Sequence, residues 1–395
     1  MRKWGVGLLV ALSLLALTVQ CSSSAVPPVD NTPSLPAPPG GPALRIALLS
    51  PTTGELATFG RMLRNGSLMA FEAWNAQNGG VLGHRLEGVE YDATCDYELA
   101  RQTSQQAIAA GFHFIIGPLC SEAAIAAAQV AEADLALMLA PTATHPLVTV
   151  NGEGLTRPTV FRASFAWPWQ GQAAARFAYD QLRASKAALF FDPSDDYSQI
   201  LVDSFAQRFE SLGGEIVYRA AYSPTDTDFK PALQASHEAG AELIYLPAPA
   251  SIVNRVAGQR RELGWSNSIA LLGSDSWESV ELDRAAAEGS YFTMHFLLED
   301  QRPATREWAD AYKAIYAVEP TTLAVLGYEA ASILASGIEQ AGTFEVKTVA
   351  ETIEQGRFDG VTGPIHFDDQ HNPLKPVPVA QIKNGQIIFS SMISP

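Results

Sequence analysis

Leu44-Arg45-Ile46-Ala47-Leu48-Leu49, running on into Ser50-Pro51-Thr52-Thr53, is the stretch on which the architecture turns. Its apolar residues are nearly continuous rather than alternating, the mark of a strand covered on both faces. A turn over residues 50–58 leads to residues 61–77, where Leu68, Ala70, Phe71 and Trp74 recur at three- and four-residue spacing and predict an amphipathic helix. A doubly covered strand followed by such a helix is the repeating unit of a parallel α/β sheet.

The unit repeats outward from there. Strands are expected at 86–91, 112–116 and 135–139, with helices at 97–110 and 122–133 between them. After Phe161-Arg162 the rhythm restarts, with helices at 169–182, 198–212, 228–239 and 252–263. The strands of this second series fall at 187–191, 215–219, 243–246, 269–272 and 291–296. Helices dominate 304–355, and strands at 377–382 and 387–389 finish the chain. The expected fold is α/β, two doubly wound Rossmann-like lobes joined by three crossovers. Residues 43–163 and 295–370 form the first lobe, and residues 164–294 and 371–395 the second. Such sheets bind ligands beyond the carboxyl ends of their strands. The turns to watch are therefore 50–53, 117–121, 140–144, 192–197, 247–250 and 273–277.

The chain has 395 residues, of which 47% are apolar, enough for two lobes of roughly 150 residues plus extras. A net charge of −16, with no run of Lys and Arg, argues against nucleic acid and anionic lipid as main partners. Residues 1–21 differ from the rest: Met1-Arg2-Lys3 opens a short apolar run of signal-peptide type. Leu17-Thr18-Val19-Gln20-Cys21 resembles a bacterial lipoprotein cleavage site, with Gln20 and Thr18 departing from its usual residues. The expectation is acylation at Cys21, and the alternative is plain secretion with an incidental cysteine. Residues 22–42 are rich in Ser and Pro and read as a tether, able to reach roughly 60 Å if largely polyproline-like. Cys95 and Cys120 remain. In an exported chain they are expected to pair, closing about 26 residues and adding roughly 3.5 kcal/mol; two free buried thiols are the alternative.

At the strand-to-helix turns the sequence resembles the branched-chain amino-acid-binding family of type I periplasmic binding proteins. The likeness runs over about 44–391 and rests on five segments. They are Thr53-Gly54 through Gly79-Gly80, Tyr91-Asp92-Ala93-Thr94-Cys95, Ile115-Ile116-Gly117-Pro118-Leu119-Cys120-Ser121, Ala140-Pro141-Thr142-Ala143-Thr144 and Gly363-Pro364-Ile365-His366-Phe367-Asp368. The resemblance implies an extracytoplasmic receptor whose lobes close on an amino-acid-like ligand and then dock on ABC permease subunits. It implies Ser121 and Thr144 as holders of the ligand carboxylate, with Leu119, Thr142 and Ala143 in the same turns. It implies Asp275 as holder of the ammonium, and Tyr197, Phe59 and Tyr328 as further pocket residues; Trp277, two residues beyond Asp275, is a further candidate on this chain's own account.

Physical reading supports these roles while leaving plainer ones open. Ser121 precedes the expected helix at 122–133, so its hydroxyl and the adjoining N–H groups suit an anion; an ordinary N-cap is the alternative. Thr144 is otherwise a loop hydroxyl, and Asp275 otherwise a cap. The chain also departs from the family pattern at Leu246-Pro247-Ala248-Pro249-Ala250, at Trp277, and at Trp167 and Trp169 flanking Pro168. These rigid or bulky residues either reshape the side-chain half of the pocket or pack in the core.

Other chemistry is poorly supported. His366, Asp368, Asp369 and His371 read as a strand ending in a polar turn more readily than as a metal site. Asn151-Gly152-Glu153-Gly154 lacks the rest of a phosphate loop, and Asp195-Asp196 reads as a helix start. No nucleophile elbow, C-x-x-C pair or H-E-x-x-H motif is present. The expectation is a monomeric, exported, non-enzymatic binding protein in the periplasm or at the outer face of the cytoplasmic membrane, with no cofactor. A sensory module binding an amide, urea or aromatic acid is the rival.

Overall fold

The computed structural model describes residues 41–395 apart from 267 and 301. The expected signal segment, Cys21 and all of the tether but its last two residues lie outside the described residues. The chain begins with β1 (Leu44–Ser50), α1 (Ala57–Asn78), β2 (Leu86–Asp92), α2 (Tyr97–Ala109), β3 (Phe114–Ile116), α3 (Ser121–Ala133), β4 (Leu137–Ala140) and β5 (Val160–Arg162). These five strands form one parallel sheet in the order β2-β1-β3-β4-β5. Ile46 to Leu49 of β1 are fully buried, as a continuous apolar run requires. α3 lies close on the sheet because its inner face is alanine: Ala123, Ala124, Ala127, Ala128 and Ala131 are all fully buried.

The chain then leaves for a second sheet through α4 (Trp167–Arg176), β6 (Lys186–Phe191), α5 (Asp196–Ser211), β7 (Glu215–Ala221), α6 (Lys230–Glu238), β8 (Leu243–Tyr245), α7 (Ala250–Glu262), β9 (Ala270–Gly273) and β10 (Tyr291–Thr293). It returns to the first lobe as α8 (Pro303–Tyr316), α9 (Thr322–Ala341), α10 (Val346–Gln355), β11 (Phe358–Gly360), β12 (Gly363–Phe367) and β13 (Pro373–Leu374). A third crossing delivers β14 (Val377–Lys383) and β15 (Gln386–Ile393) to the second sheet. That sheet has the order β15-β14-β10-β9-β8-β6-β7. Two α/β lobes joined by three crossovers are the result.

Three details differ from the sequence reading. The last two strands are antiparallel, β14 to β10 and β15 to β14. Their two-residue link is Asn384-Gly385, with φ of 54° and 70°, the left-handed pair that a tight hairpin needs. A small antiparallel sheet, β11-β12-β13, went unexpected because its strands are two to five residues long. Since β13 pairs with β12 at His366 and Phe367, the third crossing falls after Leu374 and not at residue 371.

α1 and α9 pack side by side in the first lobe, and two glycines set their separation. A Cβ on Gly66 would stand 1.8 Å from the Ala324 carbonyl oxygen, and one on Gly327 would stand 2.3 Å from that of Leu63. This contact matters for function because α1 and α9 both carry residues to the cleft. Near the third crossing, Lys375 and Glu329 form a fully buried ion pair at 2.8 Å. Glu329 also accepts from the Thr362 N–H and hydroxyl, so neither charge lacks partners. No helix among the described residues is long and apolar enough to cross a membrane.

Candidate ligand-binding cleft

A cavity of about 620 Å³ lies between the lobes. The first lobe contributes Phe59 and Met62 from α1, Leu119 beyond β3, Thr142 and Thr144 beyond β4, and Thr322, Leu323 and Leu326 from α9. The second contributes Asp275, Glu278, Val280 and Arg284 beyond β9, and His295 sits where the chain crosses back. The carboxyl ends of strands in both sheets thus open onto one space.

The turn after β4 is tied down from behind. Arg162 is fully buried and donates to the carbonyls of Ala143 at 3.1 Å, His145 at 2.9 Å and Pro146 at 3.3 Å, and to Thr149 Oγ1 at 3.0 Å. Burial pushes its pKa down to about 9, so it stays protonated at neutral pH. Ser164 adds a bond to the Ala143 carbonyl at 3.2 Å. The Thr142 hydroxyl is spent on the Leu119 carbonyl at 2.5 Å, which joins the two first-lobe turns. Thr144 lines the cavity with no hydrogen bond from its hydroxyl among the described residues.

Ser121 stands differently from its sequence reading. Cys120 is the N-cap of α3 and Ser121 the first helical residue. Its Oγ accepts from the His145 N–H at 3.4 Å, which places it behind Thr144 instead of on the cavity wall. Cys120 is disulfide-bonded to Cys95, the Cα atoms 5.3 Å apart, so the start of α3 is fastened to the chain leaving β2.

On the opposite side, Asp275 opens a short 3₁₀ turn, Asp275–Trp277. Its Oδ1 accepts from the Tyr197 hydroxyl at 2.5 Å and Gln170 Nε2 at 2.8 Å, and its Oδ2 lies 3.3 Å from His295 Nε2. Burial would raise this carboxyl, but the bonds from His295, Tyr197 and Gln170 outweigh it and hold the pKa below the ordinary aspartate range. Burial likewise draws His295 below the ordinary histidine range, against the pull of Asp275. The pair is an aspartate facing a neutral imidazole. His295 stacks on Phe165 with ring centres 3.6 Å apart. Trp167 meets Tyr197 edge-on at 5.4 Å and His145 at 4.9 Å, linking the two halves of the site through the first crossover.

Of the residues expected from sequence, Phe59, Leu119, Thr142, Thr144 and Asp275 line the cavity together. Tyr197 reaches it only through Asp275. Ala143 is buried, with its carbonyl committed to Arg162 and Ser164. Two expectations need correction. Trp277 is fully buried in the second-lobe core, its indole N–H donating to the Leu246 carbonyl at 3.1 Å. It packs over Gly273, where any Cβ would stand 2.1 Å from the ring. Tyr328 lines a separate hollow of about 430 Å³ with Trp74 and Arg357, edge-on to Trp308 at 5.5 Å. It lies two residues beyond Leu326, roughly 200° around α9, and so faces away from the cleft.

Sequence reading missed Glu278, His295 and Arg162. Glu278 follows Asp275 by one helical turn and takes two bonds from the Thr322 hydroxyl, at 3.0 and 2.9 Å. Desolvation in the cleft, and then the nearby Asp275 charge, raise its pKa to about 7 even though the side chain keeps solvent contact. The spacing Leu323–Leu326 on α9 was the available signal for the apolar wall. The residues weighed as a metal site do other work: Asp368 accepts the N–H groups of Gln370 and Asn372 at 2.9 and 2.8 Å, and buried His371 stacks on Phe161. Asp195 caps α5, accepting from the N–H groups of Tyr197 and Ser198.

A family model described as periplasmic binding protein matches residues 43–386. The chain belongs to the periplasmic binding protein family. Within it, the likeness is to the type I, branched-chain amino-acid-binding branch. A Pseudomonas aeruginosa leucine-, isoleucine-, valine-, threonine- and alanine-binding protein is 29% identical over 83% of this chain and 86% of its own length. The solved structure of a Thermotoga maritima leucine-binding protein is 33% identical, covering 89% of this chain and 99% of that one, with a TM-score of 0.72. A Rhodopseudomonas palustris solute-binding protein solved with benzoate shares the fold at 21% identity, covering 89% of this chain and 97% of that one, with a TM-score of 0.68. These relatives of the periplasmic binding protein described here are binding proteins by name.

Proposed function

We propose that this periplasmic binding protein captures an amino acid between its lobes and delivers it to an ABC permease. The observation that carries the reading is that Thr144 of the first lobe and Asp275 of the second line one cavity. Thr144, backed by Ser121 and the start of α3, receives the carboxylate. Asp275, held ionised by neutral donors, receives the ammonium. A ligand that meets both only when the lobes are closed supplies the differential affinity that closure needs. Phe59, Met62, Leu119, Leu323 and Leu326 take the side chain. The reading includes export, an acylated Cys21, residues 22–42 as tether, and a monomer whose lobes are divided near residues 163, 294 and 374.

A thermal-shift screen with leucine, isoleucine, valine, threonine and alanine, followed by calorimetry, tests it. A true ligand at 100 times its dissociation constant adds about 2.7 kcal/mol of stability. Asp275→Asn removes a charge-assisted contact and weakens that ligand about ten- to a hundredfold. No stabilisation by any amino acid, or unchanged affinity in both Asp275→Asn and Thr144→Val, would overturn the reading.

A further inference from the structure

The cleft holds more acceptor capacity than one ammonium uses. Asp275 is already met by Tyr197, Gln170 and His295. Glu278, on the same wall, has only the Thr322 hydroxyl, which offers one proton to two carboxylate oxygens. His295 also lines the cavity; with Nε2–H committed to Asp275, its Nδ1 is buried without a partner, in a residue 4% exposed. Arg284 also lines the cavity, exposed on the second-lobe rim, and makes no salt bridge to Glu278 among the described residues.

Resting on the amino-acid reading above, we propose that Glu278 is a second anionic subsite, and that the cleft selects amino acids carrying a second cationic nitrogen at the end of an aliphatic chain. Glu278 is exposed on the cavity wall with one shared hydroxyl bond, so its carboxylate is open to a ligand in the cleft. Asp275 on the same wall adds to the negative charge there. A ligand ammonium beside it restores the balance with a charge-assisted bond. The methylenes between the ligand's two nitrogens fit the apolar wall of Phe59, Met62, Leu323 and Leu326. An aliphatic ligand with one ammonium leaves Glu278 with the Thr322 hydroxyl alone, so the discrimination comes from this residue.

Calorimetric titration with L-ornithine and L-leucine, on the wild-type protein, Glu278→Gln and Asp275→Asn, tests this. Glu278 lies in an exposed turn, and an unchanged melting temperature at pH 5 verifies that the variant folds. The expected result is tighter wild-type binding of L-ornithine than of L-leucine. Glu278→Gln then weakens L-ornithine at least about tenfold more than it weakens L-leucine. Asp275→Asn weakens both. No L-ornithine binding, or equal effects of Glu278→Gln on both ligands, overturns the second subsite. If Asp275→Asn still weakens L-leucine in that case, the general amino-acid reading survives. A wild-type protein that binds neither ligand removes both.

Discussion

Thr322, at the start of α9 in the first lobe, gives its hydroxyl to the carboxylate of Glu278 in the second, 3.0 and 2.9 Å from the two oxygens. The bond spans the cleft, so it exists only while the lobes are close. Thr322→Val keeps the shape and removes the donor. The expected outcome is an about two- to tenfold loss of ligand affinity, the range of one ordinary hydrogen bond, with little change in melting temperature. Calorimetry together with small-angle scattering of the unliganded protein checks it; unchanged affinity and dimensions would show that the bond has no part in closure.

Glu278 also makes stability depend on pH. Its folded pKa of about 7 lies above the ordinary glutamate value of 4.5, so between those values the native state holds a proton that the unfolded chain releases. Its contribution is therefore most favourable below that window and is lost as pH rises through about 7. The groups around it are Asp275, the Thr322 hydroxyl and, along the same cavity, His295 and Arg284. Glu278→Gln is expected to melt higher than wild type at pH 8 and equally at pH 5. Thermal melts at the two values decide it, and an identical difference at both would refute it.

Arg162 ties down the turn that carries Thr144. Replacing it with Met removes its bonds to the carbonyls of Ala143, His145 and Pro146, which keep the Ser164 hydroxyl and the Val148 and Val150 N–H groups as donors. A charge-assisted bond is worth about 1.5–3 kcal/mol and its loss costs less where a donor remains, so a total of about 3 kcal/mol is expected, with ligand affinity falling as the Thr144 turn loosens. Denaturant unfolding measures the first effect and calorimetry the second. A variant of normal stability would mean that the turn holds itself.

The two corrected residues give a sharp pair of controls. Tyr328→Phe is expected to leave ligand affinity unchanged, because the side chain faces the other hollow. Trp277→Ala is expected to cost about 3–5 kcal/mol through the cavity it opens in the second-lobe core. Affinity measurements on the first and unfolding on the second check these; a large affinity loss in Tyr328→Phe would place that residue back in the cleft.

Much of the architecture was legible because its causes are local. Continuous apolar strands such as Leu44–Ser50, and helices with a repeating apolar stripe, declare themselves in single segments. The strand-to-helix turns carrying Leu119, Thr144 and Asp275 followed from the same pattern once the sheet was known to be parallel. What escaped depends on partners far apart in sequence. Glu278 acquires its character from Thr322 and Asp275, and Arg162 from a loop that folds back over it. Tyr328 was expected in the pocket from the family resemblance alone; on α9 it lies two residues beyond Leu326, and a difference of two residues reverses direction on a helix. The Asn384-Gly385 hairpin is a local feature carried by its dipeptide, both residues having positive φ.

The position of Arg162 has a consequence for unloading. Its guanidinium stiffens the turn from the protein side, so an acid group received at Thr144, as proposed, would meet hydroxyls and amides, with no cation in that wall among the described residues. Departure on that side then means exchanging neutral contacts for water, without first stripping an ionic bond in a dry crevice. A carrier that must surrender its passenger on every cycle can in this way be firm in its framework and still loose in its hold.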